Sequence, residues 1–475
     1  MVRNAAIFLV LGAIGSARAQ SVVLAEAPAP SVQAEEPSKP PPTPQADSPA
    51  KKTPVVGKWT TDLYGFIEFD GIEDSTQSFN DLAGNQFILR SDTYGGEHRR
   101  TTGSVRNTRL GFKMVSPDFH GMHGTALLEA DFLGNQPVIG VSTGQTSESG
   151  FFTSPDFRVR HAWLKLETPY VDVLMGQNWQ LFGWQPYFHP NTVEIQGAPG
   201  QVYSRTPQVR LSHMFKADPL GVEVAAAAMR PAQRDSGSPD WQGGLRLLEY
   251  GWKGVHTLGA ASTIVEAAAV GVSGVYRNFR VGTLGNANNV AKAGNVDHNA
   301  TSWGMSVDGF IPVIPSAGSR GNALSLIGSF VRGDGIADMY SGLSFGLPAI
   351  QAGDYIDSGL ATVDAANGLH AVSMRSWLLG LQYYFPGSGN VWFSGNYSRV
   401  DFLNANDSVP ALSAPNTLVG KSAVFMKSEW FDFNIFWDVI PAIRFGFEYA
   451  RFRQTDVDGF TAQNNRFQLS GFFIF

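Results

Sequence analysis

Six basic residues fall in three short stretches where charged and apolar side chains alternate. Arg109 and Lys113 lie in TRLGFK, Arg158 and Arg160 in FRVRHAWLKL, and Arg205 and Arg210 in SRTPQVRLS. Alternate residues of a strand share a face, so such stretches set charge and apolar groups on opposite sides. Acids recur in the same manner: Glu68 and Asp70 in GFIEFD, Glu129 and Asp131 in LLEAD, and Glu448 in IRFGFEY. Fixed charges of both signs on one side of a sheet attract, orient and repel ions in water. Catalysis has thinner support, because it needs a nucleophile, a base and an orienting group together. None of the nine histidines sits beside a serine in a recognisable motif, and no G-x-S-x-G element occurs. His161, in a strand motif, and His189, in a loop, read as structural. The chain has no cysteine, so it has no disulfide framework, thiolate metal site or cysteine nucleophile. No metal and no cofactor is expected.

Elements must position these charges, and the composition indicates which kind. Of 475 residues, 52 are glycine, 12% are aromatic and only 16% are charged. A mean hydropathy of −0.09 does not suit a bundle of membrane helices. Many strands and turns are expected. The formal charge of −6 argues against a nucleic-acid partner.

The N-terminus reads as an export signal. Arg3 supplies a positive start, Ala5 to Ile14 an apolar core, and Ala17-Arg18-Ala19 a cleavage site. Residues 1–19 are therefore expected to be removed, which takes Arg3 and Arg18 away and leaves a charge of −8. Residues 20–57 include Pro40-Pro41-Pro42 and read as a disordered, proline-rich periplasmic linker. About 36 such residues at about 3.1 Å each reach about 110 Å when extended. A passive spacer is the favoured reading; an arm that touches the cell wall or a partner is the sharper one.

From Leu63 onward the period is two. Ile443, Phe445, Phe447 and Tyr449 share one face, and Arg444, Gly446 and Glu448 the other. Phe431, Phe433, Ile435 and Trp437 oppose Asp432 and Asn434 in the same way. Sixteen strands are expected: 63–71, 104–114, 122–133, 157–168, 170–177, 207–216, 220–230, 242–253, 261–277, 299–313, 322–332, 372–386, 390–401, 421–437, 441–454 and 463–475. Long links such as 72–103, 134–156, 178–206 and 333–371 alternate with short ones such as Thr168-Pro169 and Pro386 to Gly389. This is the habit of a transmembrane, antiparallel, up-and-down β-barrel, with residues 58–475 forming it and both termini in the periplasm. In the final stretch QLSGFFIF, Phe467, Leu469, Phe473 and Phe475 are expected to face lipid and Arg466, Gln468 and Ser470 the lumen. Pairing the last strand to the first removes the open edge that lipid does not tolerate. The ending Phe473-x-Phe475 also resembles the signal by which outer-membrane barrels are recognised by the barrel-assembly machinery.

Several stretches resemble porins. TRLGFK (Thr108 to Lys113) is similar to the second-strand pattern of Gram-negative general porins. FRVRHAWLKL (Phe157 to Leu166), VLMGQNW (Val173 to Trp179) and GAPGQVYSRTPQVRLS (Gly197 to Ser212) resemble the DcaP-like outer-membrane porins. The likeness implies a homotrimer of 16-stranded barrels in the outer membrane, with a narrow pore for small, often anionic, carboxylate solutes. The N-terminus departs from that pattern: a proline-rich segment stands where the family has a coiled-coil-like one.

A pore selects at its narrowest lining. The link Asn178 to Thr206 stands where trimeric porins fold a loop inward, and its Trp179, Phe182, Trp184, Tyr187 and Phe188 suit a packed constriction loop, with Glu194 as an acid. By strand parity Arg109, Lys113, Arg210, Glu68, Asp70, Glu129, Asp131 and Glu448 face the lumen. Arg205 precedes its strand closely enough to reach the pore. Arg158 and Arg160 share parity with Ala162 and Leu164, so they are either luminal or above the lipid band. A charge at midplane lipid costs about 2–4 kcal/mol, which excludes the third position. Arg109, Arg205 and Arg210 are expected to draw anions to the constriction. The rivals are a plugged barrel transporter for hydrophobic substrates, which needs a folded hatch, and an outer-membrane hydrolase.

Overall fold

The computed structural model describes residues 58–134, 155–194, 197–259, 262–281, 298–316, 318–347, 356–363, 369–406 and 424–475. The expected signal peptide and linker lie outside the described residues. Among the described residues no helix is long and apolar enough to cross a membrane, which says nothing of a barrel.

The strands are β1 (Thr60–Asp74), β2 (Arg100–Ser104), β3 (Arg109–Val115), β4 (His123–Asp131), β5 (Arg158–Glu167), β6 (Asp172–Trp179), β7 (Arg205–Ala217), β8 (Leu220–Met229), β9 (Asp240–Leu258), β10 (Ser262–Val281), β11 (His298–Ile314), β12 (Leu324–Asp334), β13 (Ala361–Val363), β14 (Leu369–Ala371), β15 (Ser373–Tyr384), β16 (Val391–Phe402), β17 (Phe425–Ile440), β18 (Ile443–Asp456) and β19 (Thr461–Ile474). Each wall strand pairs antiparallel with the next, and β1 pairs with β19. β2 and β3 both lie on β1 and form one interrupted strand, so the wall is a closed 16-strand barrel. The hairpin β13–β14 belongs to the connection between β12 and β15 and forms a two-stranded sheet of its own, with Ala361 and Leu369 packed in one buried cluster with wall residues such as Phe279 and Val331. Closure is tight: Gly65 N donates to Phe475 O at 2.9 Å, and Phe475 N donates to Gly65 O at 3.1 Å.

Period-two patterning produces this wall inside out relative to a water-soluble sheet. Phe445, Phe447, Phe467, Leu469 and Phe473 lie exposed on the outer face, while Glu448, Arg466, Gln468 and Ser470 are buried within. Apolar groups on the outside are stable in hydrocarbon, and closing the hydrogen-bond ladder removes the open edge that lipid does not tolerate.

Two interruptions were not legible as such in the sequence. Phe66 pairs with Arg109 and Asp70 with Ser104, so four residues, Val105–Thr108, face three of β1. The extra residue bulges the strand and reverses its parity. Ser104 and Arg106 point inward before the break, and Arg109 after it. The expected continuous strand 104–114 is thereby corrected. A second bulge falls at Arg160: Glu129 pairs with His161 but Ala130 with Val159. It resolves the parity of β5, because Arg158, Arg160 and His161 all turn inward while Ala162, Leu164 and Leu166 turn out.

Candidate functional site

Residues 180–194 leave β6 and cross the barrel interior, and residues 197–204 lead into β7. The first turn of this segment rests on β9 and β10. Phe182 N donates to Gln242 Oε1 (2.9 Å), Gly183 N to Ser273 Oγ (2.8 Å) and Trp184 Nε1 to Val272 O (3.0 Å). The indole lies flat against Gly244 and Gly271, where an added Cβ would come within 2.9 and 2.6 Å of it. Only glycine admits so close an approach. The far part of the segment is tied to the opposite wall. Asn191 O accepts from Ser394 Oγ (2.7 Å) and Asn396 Nδ2 (2.8 Å). Val193 N donates to Asn434 Oδ1 (2.8 Å), and Thr192 Oγ1 and Glu194 N donate to Glu448 Oε2 (2.5 and 2.6 Å). The expected inward loop is present, and it spans from β9–β10 to β16–β19.

Glu194 and Glu448 serve that anchorage. Arg466 Nη1 donates to Glu194 Oε2 (2.7 Å), while its Nε and Nη2 grip Asp74 (2.9 and 2.8 Å). All three side chains are essentially inaccessible, and Glu448 is also fully buried. Glu194 lies in the inward loop and borders the cavity between loop and wall, held there by Arg466. Glu448 faces inward as its parity predicts, but the expectation that it lines the pore is corrected, because it sits beneath the loop backbone. A buried pair of this kind is held at a desolvation cost, and removing one partner is what exposes its worth.

The facing wall is built differently. Arg158 grips Asp131 with two bonds (2.9 and 2.6 Å). Arg160 donates to Glu129 (2.6 Å), to Asp131 (3.1 Å) and to Tyr203 Oη (3.2 Å). Tyr64 Oη also donates to Glu129 (2.9 Å), and Arg109 Nε stands 3.7 Å from it. Arg205 stacks over Trp179 and Tyr203, 4.7 and 5.1 Å from the ring centres, and among the described residues it has no carboxylate partner. Trp179 is the hub, with His161, His189 and Tyr203 packed edgewise at 5.3, 5.0 and 4.9 Å. Glu68 accepts from Asn107 (2.7 Å), and Asp70 from Gln468 (3.0 Å) and Ser470, so both are held by neutral donors.

Between loop and wall lies a cavity of ≈ 140 Å³, bordered by Glu68, Arg109, Glu129, Arg160, Trp179 and Tyr203. His161 and His189 also line it, and Glu68 Oε1, Arg109 Nε, His161 Nδ1 and His189 Nε2 are buried there without a hydrogen-bond partner. Unmet polar atoms turned to one space suit passage of water and solute better than a sealed core. The electrostatics of the loop agree. Burial raises the Tyr203 phenol, but Arg160, Arg205, Arg109 and Arg158 outweigh it and draw it down to about 7. Burial lowers the His189 imidazole to about 3, and Arg205, His256 and Arg160 push the same way. The phenol, displaced downward against its own burial, reports a positive potential.

Tyr203 also borders a wider space of ≈ 530 Å³ towards the long-loop end, beside Arg158 and Arg205. A third of ≈ 380 Å³ lies by Tyr187, Arg246, Lys253 and Glu266. The structure thus gathers Arg109, Arg158, Arg160 and Arg205, and leaves two expected basics apart. Lys113 is opposite Asp62 and Leu127, nearer the short turns. Arg210 is inward but bonds Trp179 O (2.6 Å) and Gln208 (2.9 Å). Phe473 and Phe475 lie on the outer face, half exposed.

Sequence reasoning missed two further inward segments. In 75–92, Ala83 N donates to Glu194 Oε1 (2.9 Å), Ile88 N to Gln454 Oε1 (2.7 Å), and Phe79 meets Phe452 at 5.1 Å. In 335–347, Tyr340 bonds Ser376 (2.6 Å) and Phe345 packs on Phe402 and Phe425 (4.8 and 5.5 Å). The signal was available: both are links carrying buried-type residues, Phe79 and Ile88 in one, Ile336, Met339, Leu343 and Phe345 in the other. Arg246, inward on β9 and paired with Glu223 at 2.6 Å, was missed too.

No family model matches the chain, and no curated protein sequence does. Solved structures do. The outer membrane channel DcaP of Acinetobacter baumannii is similar with a TM-score of 0.59 at 17% identity, over 88% of this chain and 97% of that one. A loop-deletion form of OmpT, an outer membrane protein of Vibrio cholerae, gives 0.46 at 12% identity, over 88% and 99%. An anion-selective porin from Comamonas acidovorans gives 0.46 at 10% identity, over 88% and 100%. The first of these likenesses supports the barrel fold.

Proposed function

We propose that the barrel is an outer-membrane porin, a water-filled channel for passive diffusion of small hydrophilic solutes, with anionic carboxylates favoured. The observation that carries this is the space between the crossing loop and the wall: Arg109 and Arg160 border the cavity beside Trp179 and Tyr203, and Arg205 stacks on both rings and borders the wider space next to it. Glu129 and Asp131 neutralise Arg158 and Arg160 in part, whereas Arg205 keeps its charge for the passage. A cationic wall in a water-poor constriction lowers the barrier for anions and raises it for cations. In this reading residues 1–19 direct export, 20–57 form a periplasmic linker, the short turns and both termini face the periplasm, and Phe473 and Phe475 mark the chain for insertion. A homotrimer and a diffusion role without catalysis complete it.

A second reading, a plugged transporter, has one observation in its favour: segments 75–92 and 335–347 pack apolar groups against the inner wall. The test is solute flux into liposomes holding the refolded chain. The porin reading predicts entry of a small carboxylate faster than a neutral solute of equal size. Impermeability to both, from a verified folded barrel, favours the plug.

A further inference from the structure

The outer face of β15–β18 departs from the apolar pattern at the long-loop end. Arg375, Arg399, Lys427, Arg451 and Arg453 all point outward there, on four neighbouring strands. They are knit by two acids. Arg375 Nε meets Asp401 Oδ2 at 2.9 Å and Arg399 Nη2 meets Asp401 Oδ1 at 2.6 Å. Lys427 Nζ and Arg453 Nη1 stand 3.1 and 3.9 Å from Glu429 Oε2. Arg451 donates to Gln463 at 2.8 Å and has no carboxylate partner among the described residues. Five cations against two acids leave an excess of three positive charges.

Exposure sharpens this. The Arg375 and Arg453 side chains are 48% and 49% exposed, and Asp401 and Glu429 only 8% and 18%. The acids lie beneath and the cations outermost, so an approaching group meets positive charge. Directly below in register come Trp377, Leu379, Tyr397, Phe431 and Phe433, all exposed and apolar or aromatic. At the same end β5–β9 present Val159, Met175, Val209 and Trp241 instead. Arg332 on β12, opposite Arg375 in register and 2.9 Å from Asp334, continues this charged sector of the rim, whereas β5–β9 present the apolar groups.

We infer that this sector binds the phosphorylated headgroup of a lipid in the leaflet that the long loops face. Its occupant must carry anionic oxygens above and acyl chains below, because the surface is cationic above and apolar below. Arginine forks suit phosphate oxygens. Four strands at about 4.8 Å spacing spread the cations over about 15 Å, room for two phosphates side by side. This inference rests on the chain being a membrane barrel, and does not require the pore to favour anions.

The test uses the full refolded chain in detergent, titrated with a bis-phosphorylated acylated disaccharide lipid, with the same lipid after phosphatase treatment, and with inorganic phosphate. Lipid adducts are counted by native mass spectrometry, and channel conductance is recorded on the same preparation. The expected result is adducts with the phosphorylated lipid alone, reduced at least tenfold by the combined substitutions Arg375→Gln, Arg399→Gln, Arg451→Gln and Arg453→Gln, with conductance unchanged. Equal binding of the dephosphorylated lipid, or full binding to the variant, would overturn the inference. So would inorganic phosphate occupying the sector as well as the lipid does. Loss of subunit association in the variant with lipid binding retained would assign the sector to a second copy of the chain. If the variant does not fold, the comparison of the two lipids on the unaltered chain decides alone. Loss of conductance from a folded, lipid-binding chain would count against the porin reading and leave this one standing.

Discussion

The two inner walls of the barrel use similar residues to opposite ends. On β17–β19 and β1, Asp432, Glu448, Arg466 and Asp74 are fully buried and spend their charges on the crossing loop and on one another. On β3–β5 and β7, Arg109 and Arg160 border the cavity and Arg205 the wider space next to it, and Arg205 lacks a carboxylate partner among the described residues. Charge on the first wall fixes geometry; charge on the second, in the porin reading proposed above, is left for solutes. The lesson is that inward parity alone does not make a residue part of a pore lining. What covers it decides.

The largest effect should come from breaking the anchored wall. Arg466→Met leaves Glu194 and Asp74 buried and unpaired, a loss of about 3–5 kcal/mol. Urea unfolding followed by tryptophan fluorescence should show an earlier midpoint, and single channels should become noisier as the loop loosens. Gly271→Leu comes next. The new side chain has no room under Trp184, and overpacking of this kind costs about 1–3 kcal/mol. The same unfolding assay should show a smaller shift, with conductance altered because the first turn of the loop is displaced.

The facing wall should respond in the other measure. Arg205→Gln removes a cation without orphaning an acid, so the unfolding midpoint should barely move. Anion preference, read from the reversal potential in a salt gradient, should fall severalfold. Arg158→Gln should give the smallest change in selectivity. Arg158 is 34% exposed to water and Asp131 retains Arg160 at 3.1 Å, so solvent screening blunts its loss. A larger effect from Arg158 than from Arg205 would reverse the ranking of the two positions.

The wall was legible because lipid on one side and polar groups on the other impose a strict period of two. Ile443 to Tyr449 and Phe467 to Phe473 take the faces their parity predicts. Arg158 and Arg160 were not placed by parity because a bulge reverses it, and nothing in FRVRHAWLKL announces one. The crossing loop was legible from its aromatics, since Trp184 and Phe188 had to be covered by something. The roles of Glu194 and Glu448 were not. They depend on Arg466, Asp74 and Thr192, far apart in sequence and joined only when the barrel closes. Segments 75–92 and 335–347 escaped for a related reason: an apolar loop residue shows that it is covered, not where.

The most direct test of the account is the reversal potential of the full chain in a planar bilayer across a potassium chloride gradient. A channel whose potential lies on the chloride side, moved towards potassium by Arg205→Gln, is the predicted result. A potential on the potassium side would contradict the cationic lining and hand selectivity to Glu68, Asp70, Glu129 and Asp131.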